Sequence, residues 1–241
     1  MTSGNQNISD LKNIPEDKFP KHIFIIPDGN RRYAKKMGKS KYWGHTQGFK
    51  TAIKLLRFLR QYPVKTVSLW GFSSDNWKRD EKEISGLMKI FGLIIDKYLD
   101  EILEDKGRFI HLGRKDRLPK NLLKKIAYAE NKTKENSERI VALALDFSGE
   151  DQNIRTLEKA KKIKGKVDEE TLWELRDSGG TVRSADLIFR TSETRTSDVG
   201  WINGKHTVLY FLPNKFFPET TEEDIANAIV YYASTKRNEG K

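Results

Sequence analysis

Four short stretches of this chain carry the residue types that handle phosphate. The first is Asp28-Gly29-Asn30-Arg31-Arg32, directly after the apolar run His22 to Ile26 and Pro27. It reads as a tight turn at the end of a buried strand, where a helix begins. In open α/β sheets ligands gather at the carboxyl ends of strands. Backbone N–H groups at a helix start favour phosphate. Gly29 lets the backbone come close, and Arg31 and Arg32 offer forked donors to phosphate oxygens. Asp28 would repel a bare diphosphate, so its presence there points to a bridging Mg2+. Taken alone, the stretch reads equally well as an ordinary Asp-Gly turn with surface arginines.

The second stretch is Ser73-Ser74-Asp75-Asn76-Trp77-Lys78-Arg79. It comes after Val64 to Phe72, a strand candidate rich in β-branched and aromatic residues. The serines and Asn76 can donate to phosphate or to a reacting group, Arg79 adds charge, and Trp77 can stack beside an apolar substrate. In isolation this is also a Ser/Asn-rich loop with a core tryptophan. The third stretch runs from Arg190 to Ser197, after the strand Asp186 to Arg190, and holds Arg190, Arg195, Thr196 and Ser197. The fourth is His45 within Gly44-His45-Thr46-Gln47-Gly48. A lone histidine there is more often a cap or a hydrogen-bonded structural group.

Elements that alternate strand and helix must carry these stretches. Helical rhythm marks Thr46 to Arg60, with Phe49, Ile53, Leu56 and Leu59 on one face. The strongest helix is Glu83 to Leu103, whose apolar residues step by three and one. Arg108 to Gly113 and Ile140 to Phe147 read as strands. Asn121 to Asn136, Asp151 to Lys162 and Asp168 to Asp177 read as helices, and Thr207 to Leu212 as the last strand. Thr221 with Asp224 forms a capping box that opens a final helix through Tyr232. This alternation predicts an α/β fold, a single domain over residues 21–241 with a mainly parallel central sheet flanked by helices. Residues 1–20 are polar and read as a flexible arm.

Composition narrows the partners. The 241 residues are 37% hydrophobic and 33% charged, with a formal net charge of +11 and no cysteine. Disulfides and thiolate metal sites are thereby excluded. No apolar run reaches the ~20 residues needed to span a bilayer. The positive charge calls for an anionic partner: nucleic acid, anionic lipid or a phosphorylated small molecule. Part of it, such as Lys120, Lys124, Lys125, Lys132 and Lys134, lies at helical spacing and reads as a solvated face. No nucleic-acid recognition motif is present, so nucleic acid ranks last.

In order along the chain, these stretches resemble the signatures of the cis-prenyltransferases, the family that includes undecaprenyl diphosphate synthase. "PDGNRRYAKK" at Pro27 to Lys36 is similar to the first signature, with Pro27 for the usual Met and Tyr33 for the usual Trp. "GHTQG" at Gly44 to Gly48 matches the second, "GFSSDNWKR" at Gly71 to Arg79 the third, and "DLIFRTS" at Asp186 to Ser192 the penultimate. The resemblance implies a homodimeric, cytoplasmic enzyme, with contact at a membrane periphery for product release. It would join isopentenyl diphosphate to an allylic diphosphate with Z geometry. Asp28 would hold Mg2+ and the allylic diphosphate, which Gly29, Asn30, Arg31, Arg32, Tyr33, Lys41 and His45 would surround. Arg190, Arg195, Thr196 and Ser197 would take the second diphosphate. Asn76 and Ser73 would sit near the condensing carbons, with Asn76 a candidate for the proton-abstraction step; Trp77 and Arg79 would shape the pocket, and Ser74 and Asp75 would bind substrate beside them. An apolar product tunnel is implied, with Gly71 facing it.

Three departures stand out. Glu193 comes directly after Ser192, where the family has an intervening Gly. Val208 precedes Leu209-Tyr210-Phe211, where the family has an acidic residue that helps hold the metal. The family's Asn-Tyr pair and Gly-Gly-Arg signature appear as Asp146-Phe147-Ser148-Gly149-Glu150. The departures keep two other readings open: irregular head-to-middle coupling of two five-carbon allylic units, or a non-catalytic partner subunit.

Overall fold

The computed structural model describes residues 5–236. Among them, in chain order, lie helix α1 (Asn5–Asp10), strand β1 (His22–Ile26), α2 (Asn30–Lys36), α3 (Lys41–Leu59) and β2 (Thr66–Ser73). Next come α4 (Glu81–Glu104), β3 (Gly107–Leu112), α5 (Lys120–Thr133), β4 (Arg139–Phe147), α6 (Gly149–Ala160) and α7 (Glu169–Leu175). The chain closes with β5 (Ala185–Thr191), β6 (Asn203–Leu212) and α8 (Glu222–Ser234). The six strands hydrogen-bond in the order β3-β4-β2-β1-β5-β6.

The α/β fold with its mainly parallel sheet is as the sequence suggests, and the chain divides into two compact units. The first takes residues up to Val67, Ala185–Arg195 and the chain from Gly204; the second takes Ser68–Ser184 and Thr196–Asn203. In the first, β1 is buried along its whole length, as suits a strand with both faces covered. It runs parallel to β5 in a register that sets Ile26 beside Arg190. Two strands that end together deliver their succeeding turns to the same edge, so this register brings Asp28 to Arg190. In the second, β3 and β4 are parallel from Gly107 opposite Arg139 to Leu112 opposite Ala144.

Local chemistry sets the helix ends. Asp80 accepts the Glu83 N–H to open α4. Leu87, Met88, Phe91, Ile95, Leu99 and Ile102 form its buried stripe, each side chain worth roughly 1.5–3 kcal/mol on burial. Helix α3 starts earlier than the apolar rhythm suggests, because Ser40 Oγ accepts the Trp43 N–H and caps it at Lys41. Thr221 and Asp224 form the expected capping box of α8. The described part of the 1–20 segment contains α1 and two 3-10 turns, and buries Leu11 and Phe19. Phe19 stacks on Tyr62 with ring centroids 5.9 Å apart. Its first four residues lie outside the described ones. No helix among the described residues is long and apolar enough to cross a membrane.

Candidate active site

Asp28 is fixed from both its backbone and its side chain. Its carbonyl accepts from Thr191 Oγ1 at 2.7 Å, Ser192 Oγ at 3.2 Å and the Phe217 N–H at 2.9 Å. The hydroxyls of the "RTS" signature therefore hold the turn. Gly29 next to it has φ 98°, and a Cβ there would fall 2.2 Å from Ser192 Oγ. Only glycine fits both demands.

The carboxylate of Asp28 sits among arginines. Oδ1 accepts the Gly29 N–H at 2.6 Å and Arg32 Nη2 at 3.1 Å; Oδ2 accepts Arg190 Nη2 at 3.0 Å. Burial by itself raises this carboxyl's pKa. The hydrogen bond from Arg190, the fields of Arg32 and Arg190, and the Gly29 N–H outweigh burial and hold it below its ordinary value. Arg190, only 4% exposed, also donates to Glu193 Oε2 at 2.9 Å and to the Arg195 carbonyl at 2.6 Å. Arg195 Nε donates to the same Glu193 oxygen at 2.5 Å, and Arg32 lies 3.6 Å from the other. The hydrogen bond and charge of Glu193 raise the Arg195 pKa. Three guanidinium groups thus face two carboxylates. Glu193 is the residue that sequence reasoning left out of this site; its alternation with Arg190 and Arg195 is the signal that could have found it.

The remaining first-unit residues shape the surround. A Cβ at Gly44 would lie 2.3 Å from the Asn30 carbonyl oxygen, and one at Gly48 2.0 Å from Asn30 Oδ1. The two glycines of "GHTQG", one helical turn apart, let α3 pass against the start of α2. Asn30 Nδ2 donates to the Pro27 carbonyl at 3.0 Å. Tyr33 stacks on Trp43 with centroids 5.6 Å apart. His45 is buried, while Arg31 and Lys41 are exposed. Arg32 and Lys36 lie over the Phe216 ring.

In the second unit the turn after β2 is tied to itself and to α4 and β4. Asn76 Oδ1 accepts the Ser73 N–H at 3.1 Å in a capping box. Arg79 Nη1 donates to the buried Glu83 at 3.2 Å. Asp75 and Lys78 pair at 2.7 Å in full exposure, which adds little stability. Ser74 is half-buried. Trp77 Nε1 donates to Asp146 Oδ1 at 2.9 Å. Thr196 Oγ1 donates to the Ser197 carbonyl at 3.4 Å, and Ser197 has φ 56°. A Cβ on Gly71 would lie 2.8 Å from Phe91 and 2.9 Å from Leu145. The room expected beside this glycine is thus filled. Back in the first unit, Val208 is buried in β6 at 8% exposure.

Among the described residues, no group of three or more His, Cys, Asp or Glu is placed to hold a metal ion. Asp28, a part-exposed carboxylate in a strand-end turn, fits a looser arrangement. Mg2+ commonly takes one or two protein carboxylates and completes its shell with water and phosphate oxygens.

The class is that of α/β proteins with a largely parallel sheet and an arginine-rich turn at one strand end, an arrangement suited to anionic ligands. The family described as "Putative undecaprenyl diphosphate synthase" matches residues 26–240, and the chain belongs to this family of prenyltransferases. The sequence is 34% identical to the tritrans,polycis-undecaprenyl-diphosphate synthase (geranylgeranyl-diphosphate specific) of Methanocaldococcus jannaschii, covering 95% of this chain and 85% of that one. It is also 34% identical to the isoprenyl transferase of Clostridium perfringens, covering 98% and 96%. The fold matches the crystal structure of lavandulyl diphosphate synthase from Lavandula x intermedia in complex with dimethylallyl diphosphate. The TM-score is 0.88 at 27% identity, over 93% of this chain and 100% of that one.

Proposed function

We propose that this chain condenses isopentenyl diphosphate with an allylic prenyl diphosphate to give a Z-configured prenyl diphosphate. The observation that carries the reading is the Asp28, Arg32, Arg190, Arg195 cluster, held at the ends of β1 and β5 by the family's own signature residues. In the reaction the allylic C–O bond to diphosphate breaks and a C–C bond forms to the terminal alkene carbon of isopentenyl diphosphate. The alkene electron pair makes that bond and leaves the internal alkene carbon cationic; a proton then leaves the CH2 next to it, on the diphosphate side, and its electron pair forms the new double bond. Arg32 binds phosphate oxygens of the allylic diphosphate and stabilises charge growing on it as it leaves; Arg190 and Arg195 bind the diphosphate of isopentenyl diphosphate. Asp28 would hold Mg2+, which supplies further charge stabilisation when bound. Tyr33, Lys41 and His45 border the allylic diphosphate, and Thr196 and Ser197 the isopentenyl diphosphate.

Asn76 belongs to the proton-removal step. Its Oδ1 is occupied by the Ser73 N–H, so Nδ2 is the donor it brings to the reaction. A neutral amide is no base; Asn76 orients the group that takes the proton. Trp77 and Arg79 shape the pocket, and a dry apolar tunnel shelters the growing chain and its carbocation-like centre.

The enzyme acts as a homodimer joined near residues 207–217, where half-exposed Leu209, Tyr210 and Phe211 lie on an edge strand. Its excess positive charge favours diphosphate capture and the periphery of an anionic cytoplasmic membrane as a lipid product leaves. A strict monomer in sedimentation at micromolar concentration would count against the dimer.

A second reading is irregular coupling of two five-carbon allylic units. It is favoured by Val208 in place of the acidic residue and by the fold likeness to lavandulyl diphosphate synthase bound to dimethylallyl diphosphate. Incubation with Mg2+, labelled isopentenyl diphosphate and primers of rising length decides. Z-configured products that incorporate label are expected. A branched ten-carbon product from dimethylallyl diphosphate alone supports the second reading. No product at all rejects both and leaves a partner subunit.

A further inference from the structure

Asp146 is the penultimate residue of β4, with its side chain fully buried and φ 53°. A non-glycine residue in the left-handed region is uncommon, and Asp and Asn are the side chains that accept it best. The backbone there is gripped, since the Asp146 carbonyl accepts the Arg114 N–H at 3.1 Å. The carboxylate receives three donors. Trp77 Nε1 reaches Oδ1 at 2.9 Å, Arg117 Nε reaches Oδ2 at 2.8 Å, and Arg117 Nη2 reaches Oδ1 as the second arm of the fork. Arg117 also lies over the Trp77 ring, 5.9 Å from its centroid. The Trp77 ring also makes a T-shaped contact with Phe72, centroids 5.0 Å apart. Trp77 is therefore held by its N–H, by Arg117 and by Phe72.

Trp77 is the neighbour of Asn76 in a single 3-10 turn, and Asn76 is tied back to Ser73. Fixing the Trp77 ring fixes the setting of Asn76. A neutral acceptor would satisfy the Trp77 N–H equally well. A carboxylate needs a cation as well, and the side chain of Arg117, 42% exposed, supplies it from the solvent side. The charged pair thus does something that the Trp77 bond alone does not require: it clamps Arg117 against the ring.

We propose that Asp146, through Arg117, is a positioning residue that sets Trp77 and hence Asn76 for the condensation. This rests on the role given to the turn Ser73–Arg79 in the proposed function. A merely structural ion pair is the competing account, and stability separates the two. Asp146→Asn keeps the left-handed preference and an acceptor for Trp77 but releases Arg117. Arg117→Gln leaves the buried carboxylate under-paired. The double variant removes both charges together.

Steady-state kinetics, urea unfolding and the 19F NMR signal of 5-fluorotryptophan at position 77, assigned with Trp77→Phe, are measured for each. Arg117→Gln and Asp146→Asn are each expected to lower kcat about tenfold, with KM for isopentenyl diphosphate within roughly twofold. The Trp77 signal should shift in both. The double variant should regain stability relative to Arg117→Gln without regaining kcat. If kcat instead follows stability in all three, or the Trp77 signal does not move, the positioning role is overturned. Asn76→Ala distinguishes the two layers. Full kcat in Asn76→Ala removes the role given to the turn. A large loss there with normal kcat in the Asp146 and Arg117 variants removes only the inference.

Discussion

Replacing Asp28 by Asn removes one charge and almost no volume, so its consequences can be worked from the contacts. The amide oxygen still accepts the Gly29 N–H. The charge facing Arg32 and Arg190 is lost. The Arg32 side chain is 47% exposed, and a pair of that kind contributes at most about 1 kcal/mol. Arg190 is buried, and orphaning a buried charge costs roughly 3–5 kcal/mol. Glu193 still holds Arg190 at 2.9 Å, so the guanidinium is not orphaned and the loss is smaller. The expected cost in total is about 1–3 kcal/mol, the scale of hydrogen bonds to charged groups. The variant should therefore fold, with Tm lower by several degrees.

Its pH dependence is more diagnostic. The native Asp28 carboxyl lies below its ordinary value of 3.8. A depressed acid contributes stability that is complete above the unfolded value and is lost as pH falls through the folded one. The gap between native protein and variant should thus be constant from pH 7 to about 5 and shrink below 3.8. Urea unfolding across that range, with NMR titration of the Asp28 carboxyl carbon, measures it. Product formation with Mg2+ should fall at least about a hundredfold, as when a main electrostatic group at a reacting centre is lost. Near-native turnover would refute the catalytic role. A stability gap that persists unchanged at low pH would refute the assignment of the charge contacts.

Glu193→Gln should strengthen metal-free binding of inorganic pyrophosphate several-fold, because the arginines lose an internal competitor; titration calorimetry reads this, and weaker binding would show that Glu193 instead organises them. His111 is held neutral, with its pKa pushed down to about 4 by burial and then by Lys115, against the opposing pulls of Glu130, the Leu145 carbonyl and Asp177. The unfolded chain takes that proton near 6.5, so stability should decline as pH falls from 6.5 towards 4, by up to roughly 3 kcal/mol; His111→Asn should flatten that slope in urea unfolding. Val208→Glu places a carboxylate in a buried strand position and should destabilise by roughly 2 kcal/mol or more, so a variant as stable as the native protein would show that the side chain escapes to solvent.

The features legible in the sequence are local ones. The bounds of β1, His22–Ile26, are set by an unbroken apolar run ended by Pro27 and a Gly turn. The α8 capping box is readable because its two partners lie three residues apart. The start of α3 escapes such reading because a single serine cap gives no apolar signal. Leu11 and Phe19 are hidden among polar neighbours, and two isolated apolar residues show no period. The deepest features join distant positions. Thr191 and Ser192 reach the Asp28 carbonyl across more than 160 residues of chain, and Asp146 meets Trp77 across 69. Periodicity and spacing carry no information about such pairs. The resemblance assigns Asp28 and Arg190 to different diphosphates of one site, so their direct contact is not legible from it, and it cannot place Glu193, which departs from the pattern.

The free-state contacts of that cluster bear on how it works. Guanidinium groups that wait for a diphosphate must be charged, dry on one side and already oriented, or the ligand bears the cost of arranging them. Here Asp28 and Glu193 hold Arg190 from two directions, and Glu193 holds Arg195 by a single short bond. Phosphate oxygens present the same acceptor geometry to a guanidinium fork as carboxylates do. An arriving diphosphate can therefore exchange one set of acceptors for another with little movement of the arginines. The exchange favours the ligand because the site has one more guanidinium than carboxylate, and because a diphosphate brings more charge than Glu193 gives up. On the proposed function Asp28 would have two roles in sequence: it orients Arg190 while the site is free, and it would hold Mg2+ against the ligand once a diphosphate takes Arg190 over.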